Sequence, residues 1–206
     1  MDHIAQIAGK LADHQLAAML LASQAGERYA VGFHGEGLVL VTREGAHYST
    51  DSRYIEAARQ EVQGAQVELV TRERGHLALA AGYLQERGLK RVGFESGRVS
   101  ADELGRWKDS LPCELVAAQG LLDGLRAAKD EEEIALMLKA QEITDKAFDE
   151  ICKFIQPGMT EQEIAAKLQY DMLRFGAEKE GMEQKFRIRS DGNVFNSILS
   201  RMKKWF

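Results

Sequence analysis

The sequence is poor in several features that would announce a function. It holds only two cysteines in 206 residues, Cys113 and Cys152, far apart and in neither a CxxC pair nor a Cys/His cluster. That excludes a disulfide framework or a zinc knuckle and leaves two reduced structural thiols. It has no excess of basic charge: a net charge of −5 gives no field that would draw the chain to nucleic acid or to an anionic membrane. No apolar run is long enough to span a bilayer, and Asp2, His3 and Gln6 interrupt any secretory h-region, so a cytoplasmic, membrane-free protein is expected. Histidine is absent after His76. The five present, His3, His14, His34, His47 and His76, are scattered singly, with no HxxxH or HxH spacing to place two imidazoles on one metal. No internal repeat or low-complexity segment occurs.

What is there reads first as a core. An apolar fraction of 45% is ordinary for a folded chain and argues against disorder. Up to about residue 120, helical and strand-like patterns alternate, which predicts an α/β layer fold. Ile4, Ile7, Ala8 and Leu11 share a helical face, and the apolar run Leu16 to Ala22 suits a buried strand. Gly32, Gly35 and Gly37 punctuate a loop without forming GxGxxG, so a dinucleotide loop is discounted. GLVLVT, HYST, QVELVT, RVGFE and CELVA read as further strands, with helices near 75–87 and 100–110, the second opening on Ser100 and Glu103 in capping-box spacing. Asp51 stands where a strand-like lead-in turns helical and is expected to be that helix's N-cap.

Beyond residue 120 two long helices are predicted. Asp130 and Glu133 open the first, whose apolar positions are Ile134, Met137, Leu138, Phe148, Ile151 and Ile155. Pro157-Gly158 breaks the run. Thr160 and Glu163 cap the second helix, carrying Ile164, Leu168, Met172 and Phe175, with Gly176 as its stop. The run Glu131-Glu132-Glu133 is explained as a solvated, dipole-complementing helix start, and Glu178, Glu180 and Glu183 lack histidine or aspartate partners for a metal. From Gln184 the chain turns basic. There NVFNSILSRMKKWF places Val194, Phe195, Ile198, Leu199 and Met202 on a helical stripe that would form only where it docks, after a turn at SDGN.

The segments RYAVGFHGEG, TDSRYIEAARQE, RVGFE, LLDGLRAAKDEEEIALMLKAQEITDKAF and FIQPGMTEQEIAAKLQYDMLRFGAE, in this order and spacing, resemble the creatinase/prolidase family, which includes Xaa-Pro aminopeptidases and Xaa-Pro dipeptidases. The resemblance spans roughly residues 1–180. It implies a creatinase-type N-terminal α/β domain over 1–124, a mixed sheet with flanking helices. Two long helices of a truncated pita-bread metallopeptidase domain would follow over 125–183, then a divergent basic tail over 184–206. The family's activity is hydrolysis of the amide before proline. It uses two divalent ions such as manganese, cobalt or zinc, held by two aspartates, a histidine and two glutamates that lie after the two long helices.

Because the last histidine here is His76, this chain is expected to lack the metal ligands, to hold no cofactor and to be inactive by itself. The resemblance further implies that the glycine-flanked loop bearing Phe33, His34 and Glu36 helps gate a peptide substrate across a dimer; Arg53 and Tyr54 read as structural residues of a strand-to-helix junction, with a surface or interface role as the alternative. A homo-oligomer, most simply a dimer, is expected, because two amphipathic helices cannot cover their own apolar faces. The alternative function is a non-catalytic protein- or peptide-binding module on the same fold, with the basic tail as the feature that could carry binding.

Overall fold

A computed structural model describes residues 2–177 of the chain. The expected tail helix and turn at 190–206, and Glu178, Glu180 and Glu183, lie outside the described residues. The chain divides into two compact units, the first ending at Lys129 and the second beginning at Asp130.

In the first unit, α1 (His3–Lys10) is followed by β1 (Ala18–Leu21), α2 (Gln24–Val31), β2 (Gly37–Thr42) and β3 (Gly45–Thr50). Then come α3 (Ile55–Glu61), β4 (Ala65–Leu69), α4 (His76–Glu86), β5 (Arg91–Phe94), α5 (Ala101–Ser110), β6 (Glu114–Ala117) and α6 (Gln119–Ala127). The strands form one mixed sheet in the order β4-β3-β2-β1-β5-β6. Only β2 runs against the others, pairing antiparallel with both β1 and β3. The remaining pairings, β1 with β5, β3 with β4 and β5 with β6, are parallel.

Alternation along β1 divides the core. Met19 and Leu21 point into a cluster with Ile7, Leu11, Tyr29, Ala58 and Leu122, from the helices α1, α2, α3 and α6 and the segment after α1. Ala18 and Leu20 point into the opposite cluster with Ala80, Leu84, Trp107 and Leu111, under α4 and α5. The unit is therefore an α/β/α sandwich, and β1, buried along its whole length, is a central strand.

Two helices are additions to the sequence reading, α2 and α6. Ser23 caps α2, accepting from the Gly26 amide at 2.9 Å, and Gly32 ends it in the left-handed region with φ 69°. Asp51, expected as the N-cap of α3, does not cap it. The helix starts after Tyr54 with no side-chain cap, and the Asp51 carboxylate instead accepts the amide of Arg53 at 2.8 Å. Asp51 thus shapes the turn before the helix, since a short carboxylate reaches the amide two residues on more readily than one beyond the turn.

The second unit is a helical pair, α7 (Glu131–Phe154) and α8 (Glu161–Arg174). Both open on complete capping boxes, Asp130 with Glu133 and Thr160 with Glu163. The expected apolar stripe is only partly covered: Ile151 and Ile164 are buried, while Ile134, Leu136, Met137 and Leu138 are exposed. Asp171, inside α8, is fully buried and paired with Lys167.

Candidate functional site

Five of the six strands end at the same edge of the sheet, and β2 begins there. In open α/β sheets the carboxyl edge is where loops gather with free donors and acceptors. The chain segments after β1, before β2, after β3 and after β5 meet there, and two buried acids hold them.

Glu95, following β5, is 1% exposed. Its carboxylate accepts the amides of Ala22 and Ser23, each at 3.0 Å, and the Ser23 hydroxyl at 2.6 Å, so it fixes the start of α2. Glu27, on α2, is 2% exposed and accepts the Tyr48 hydroxyl at 2.6 Å and the Gly35 amide at 3.0 Å. Burial, and then the bond to Glu27, push the Tyr48 phenol well above its ordinary value, so it remains a donor. Gly35 is required for this approach. A Cβ there would stand 2.6 Å from the Phe33 ring and 2.8 Å from the Tyr48 hydroxyl.

The loop pinned in this way carries the residues singled out in the sequence. Phe33 is buried, packed edge-on against Tyr48 with ring centroids 6.0 Å apart, and anchors the loop from below. His34 and Glu36 are exposed. Arg53 donates to Glu36 at 2.5 Å and to Asp51 at 2.6 Å, and lies 5.1 Å from the centre of the Tyr54 ring. The structure therefore joins Glu36 of the glycine-flanked loop to Arg53 of the DSRY segment. Hydrogen bonds from Arg53 hold the Asp51 carboxyl below the usual carboxylate range, and Arg53 is raised in return by Asp51 and Glu36. Beside them His76, the first residue of α4, lies 2.9 Å from the Ser49 hydroxyl. Burial lowers the His76 pKa, against the opposing pull of Asp51.

Glu27, Glu95, Tyr48 and the Ser49–His76 pair were not candidates from the sequence. The signals available were Ser23 and Gly32, which bracket the helix carrying Glu27. Chemically, the edge offers an exposed acid, an exposed imidazole and a guanidinium on a rigid base. Ser49 is 6% exposed and also donates to the Leu38 carbonyl at 3.4 Å, so its contact with His76 ties β3 to α4. Taken singly, neither unit brings three His, Cys, Asp or Glu ligand atoms together among the described residues. Residues 130–177 contain no histidine. Among the described residues of the second unit the donor set holds carboxylates without an imidazole, which does not fit a centre built from both.

The family domain described as Creatinase/Prolidase N-terminal domain matches residues 3–128. The chain belongs to the creatinase/prolidase family. A second match, Metallopeptidase family M24, covers residues 135–196. Among curated relatives of this family, the Uncharacterized peptidase YqhT of Bacillus subtilis is 30% identical over 80% of this chain and 47% of its own length. A solved Xaa-Pro dipeptidase from Bacillus anthracis is 28% identical with a TM-score of 0.79, over 87% of this chain and 50% of that one. An X-Pro aminopeptidase from Thermotoga maritima is 29% identical with a TM-score of 0.77, over 86% and 51%. The creatinase/prolidase fold expected from the sequence is thus the fold observed, and the chain spans about half the length of the first curated relatives it matches. Among the described residues no helix is long and apolar enough to cross a membrane.

Proposed function

We propose that this chain, by itself, does not hydrolyse peptide bonds and that it supplies the assembly and substrate-gating half of an Xaa-Pro peptidase-like protein. One observation carries the reading: no histidine follows His76, while a two-metal hydrolytic centre of the family type needs an imidazole beyond the paired helices. Among the described residues, the hydroxyl–imidazole pair at the carboxyl edge does not make a nucleophile, because its serine is buried and bonded to a main-chain carbonyl.

The gating role falls to His34 and Glu36. They stand outward on a loop whose base is fixed by Phe33, Gly35 and Glu27, and Arg53 sets the direction of the Glu36 carboxylate. In a dimer such a loop would meet the peptide of the neighbouring copy, with Tyr54 beside it. A cytoplasmic setting accords with two free cysteines.

The deciding experiment is an assay of the purified chain on an Xaa-Pro dipeptide with added manganese or cobalt. No turnover is expected, and metal-dependent turnover abolished by a chelator would overturn the reading. A second reading, a non-catalytic protein- or peptide-binding module, is favoured by the exposed row Ile134, Leu136, Met137 and Leu138 on α7. Binding of a proline-containing peptide that persists after Met137→Glu and Leu138→Glu would count against it.

A further inference from the structure

At the edge of the sheet opposite the candidate site, three turns border an open cleft of about 510 Å³, a volume within the range of small-molecule sites. The turns are the residues leading into β1, the two-residue connection between β2 and β3, and the connection from α4 to β5. Four cations line the cleft, Arg43, Arg87, Lys90 and Arg91, against one acid, Glu44. In a chain with a net charge of −5 this is a local reversal of sign.

The four cations are not equivalent. Arg87 is paired with Glu44, which withdraws that acid from the cleft. Arg43 and Lys90 make no ion pair or side-chain hydrogen bond among the described residues. Arg91 has a buried Nε with no hydrogen-bond partner; Glu114 lies 3.5 Å from it, an ion-pair contact and not a bond. A buried guanidinium donor left unmade is costly, and the gap asks for an acceptor.

A fourth feature bears on the same place. Gln15 is the only non-glycine among the described residues with positive φ, 54°, and its side chain accepts from Arg91 Nη1 at 3.4 Å. The left-handed backbone closes the turn after α1, where the Gln15 amide donates to the Ala12 carbonyl at 2.9 Å and the Leu16 amide to the Leu11 carbonyl at 2.8 Å, and this fixed turn places the Gln15 side-chain amide beside Arg91.

We propose that this cleft binds a small molecule carrying phosphate groups, with Arg43, Lys90 and Arg91 as its cationic contacts and Gln15 orienting Arg91. Phosphate suits the geometry better than a lone carboxylate. The cationic donors come from two separate turns, Arg43 from one and Lys90 and Arg91 from the other, so they approach from different directions, and a tetrahedral, multiply charged acceptor can meet several at once. The site lies away from Glu36 and Arg53 and does not depend on the peptidase reading.

The test is titration calorimetry of the full chain with inorganic pyrophosphate at about 0.15 M salt, where charges farther apart than ~8 Å are screened. Saturable one-site binding is expected, weakened by about tenfold or more in the Arg43→Gln/Lys90→Gln variant, as loss of two charge-assisted contacts requires. Both positions are exposed, so the variant should keep the parent's thermal transition. Lys108→Gln, an exposed cation on α5 outside the cleft, should bind as the parent does. The proposal is overturned by absence of saturable binding, by equal binding in the double variant, or by an equal loss in Lys108→Gln, which would mean generic charge attraction. Tighter binding of citrate than of pyrophosphate would overturn the phosphate assignment.

Discussion

Arg53 and Glu36 come from different loops and meet at 2.5 Å, so that one guanidinium bridges the glycine-flanked loop and the turn after β3. Exposed ion pairs add little to stability, so the pair's value lies in where it holds Glu36. Arg53→Met should leave the thermal transition nearly unchanged while speeding amide exchange in residues 33–36. It should also return the Asp51 carboxyl toward its ordinary value of 3.8, upward from where Arg53 holds it, readable by a carbon-detected pH titration. An Asp51 titration indifferent to the substitution would refute the bridging role.

Beneath that loop, Tyr48 donates to Glu27 in a fully buried setting. Tyr48→Phe removes the donor and leaves the carboxylate with the Gly35 amide alone, at an expected cost of about 1–3 kcal/mol. Urea denaturation measures it. A midpoint equal to the parent's would show that the bond contributes nothing.

Glycine substitutions should divide sharply. At Gly37 a Cβ would stand 2.2 Å from the Tyr48 ring and 2.7 Å from the Ser49 carbonyl oxygen, which belongs to the backbone and cannot swing away. Gly37→Ala should therefore cost about 2–3 kcal/mol or more. Gly105, within α5, has nothing within 4 Å of that position, and Gly105→Ala should stabilise by roughly 0.5–1 kcal/mol. If both changes shift the denaturation midpoint in the same direction, the packing around β2 and β3 is wrong.

Two histidines set an acid-side dependence. Burial lowers the pKa of His47, which contacts the Tyr83 ring and lies 3.7 Å from Glu68, and that of His76, each from an ordinary 6.5. The unfolded chain then binds more protons than the folded one just below that value, so their contribution to stability is intact above pH 6.5 and is lost as pH falls through the lowered values. Urea midpoints measured across this window should fall on acidification, and less steeply in His47→Gln/His76→Gln. An identical slope in the double variant would assign the dependence to other groups.

Assembly is tested on α7. With Ile134, Met137 and Leu138 exposed, a dimer that covers this row should dissociate on Met137→Glu. Light scattering at tens of micromolar distinguishes the outcomes, and a parent chain that is already monomeric there rules the dimer out.

The contrast between Asp130 and Asp51 shows how far local reading reaches. Asp130, Thr160 and Ser100 cap helices where the sequence places them, because a cap needs only its own residue and the amide three positions on. The strands were legible for a similar reason: β-branched and apolar runs between turn residues mark a strand whatever its neighbours. Asp51 carries the same signal but lies beside Arg53 and Glu36, and a nearby guanidinium and its own turn claim the carboxylate first.

The sequence by itself determined the family resemblance, the α/β class, the paired helices and the lack of a late histidine, all of which rest on residue identity, order and short spacing. Tertiary structure alone decided the strand order, the burial of Glu27 and Glu95, the joining of Glu36 to Arg53 and the gathering of four cations at the far edge. Each of these brings together residues from separate segments of the chain, as when Glu95 accepts the amide of Ser23, the residue that caps the helix beginning at Gln24. An acid on a short, weakly patterned helix looks like any surface acid until the sheet closes over it, and only the closed sheet supplies the donors that allow its charge to be buried.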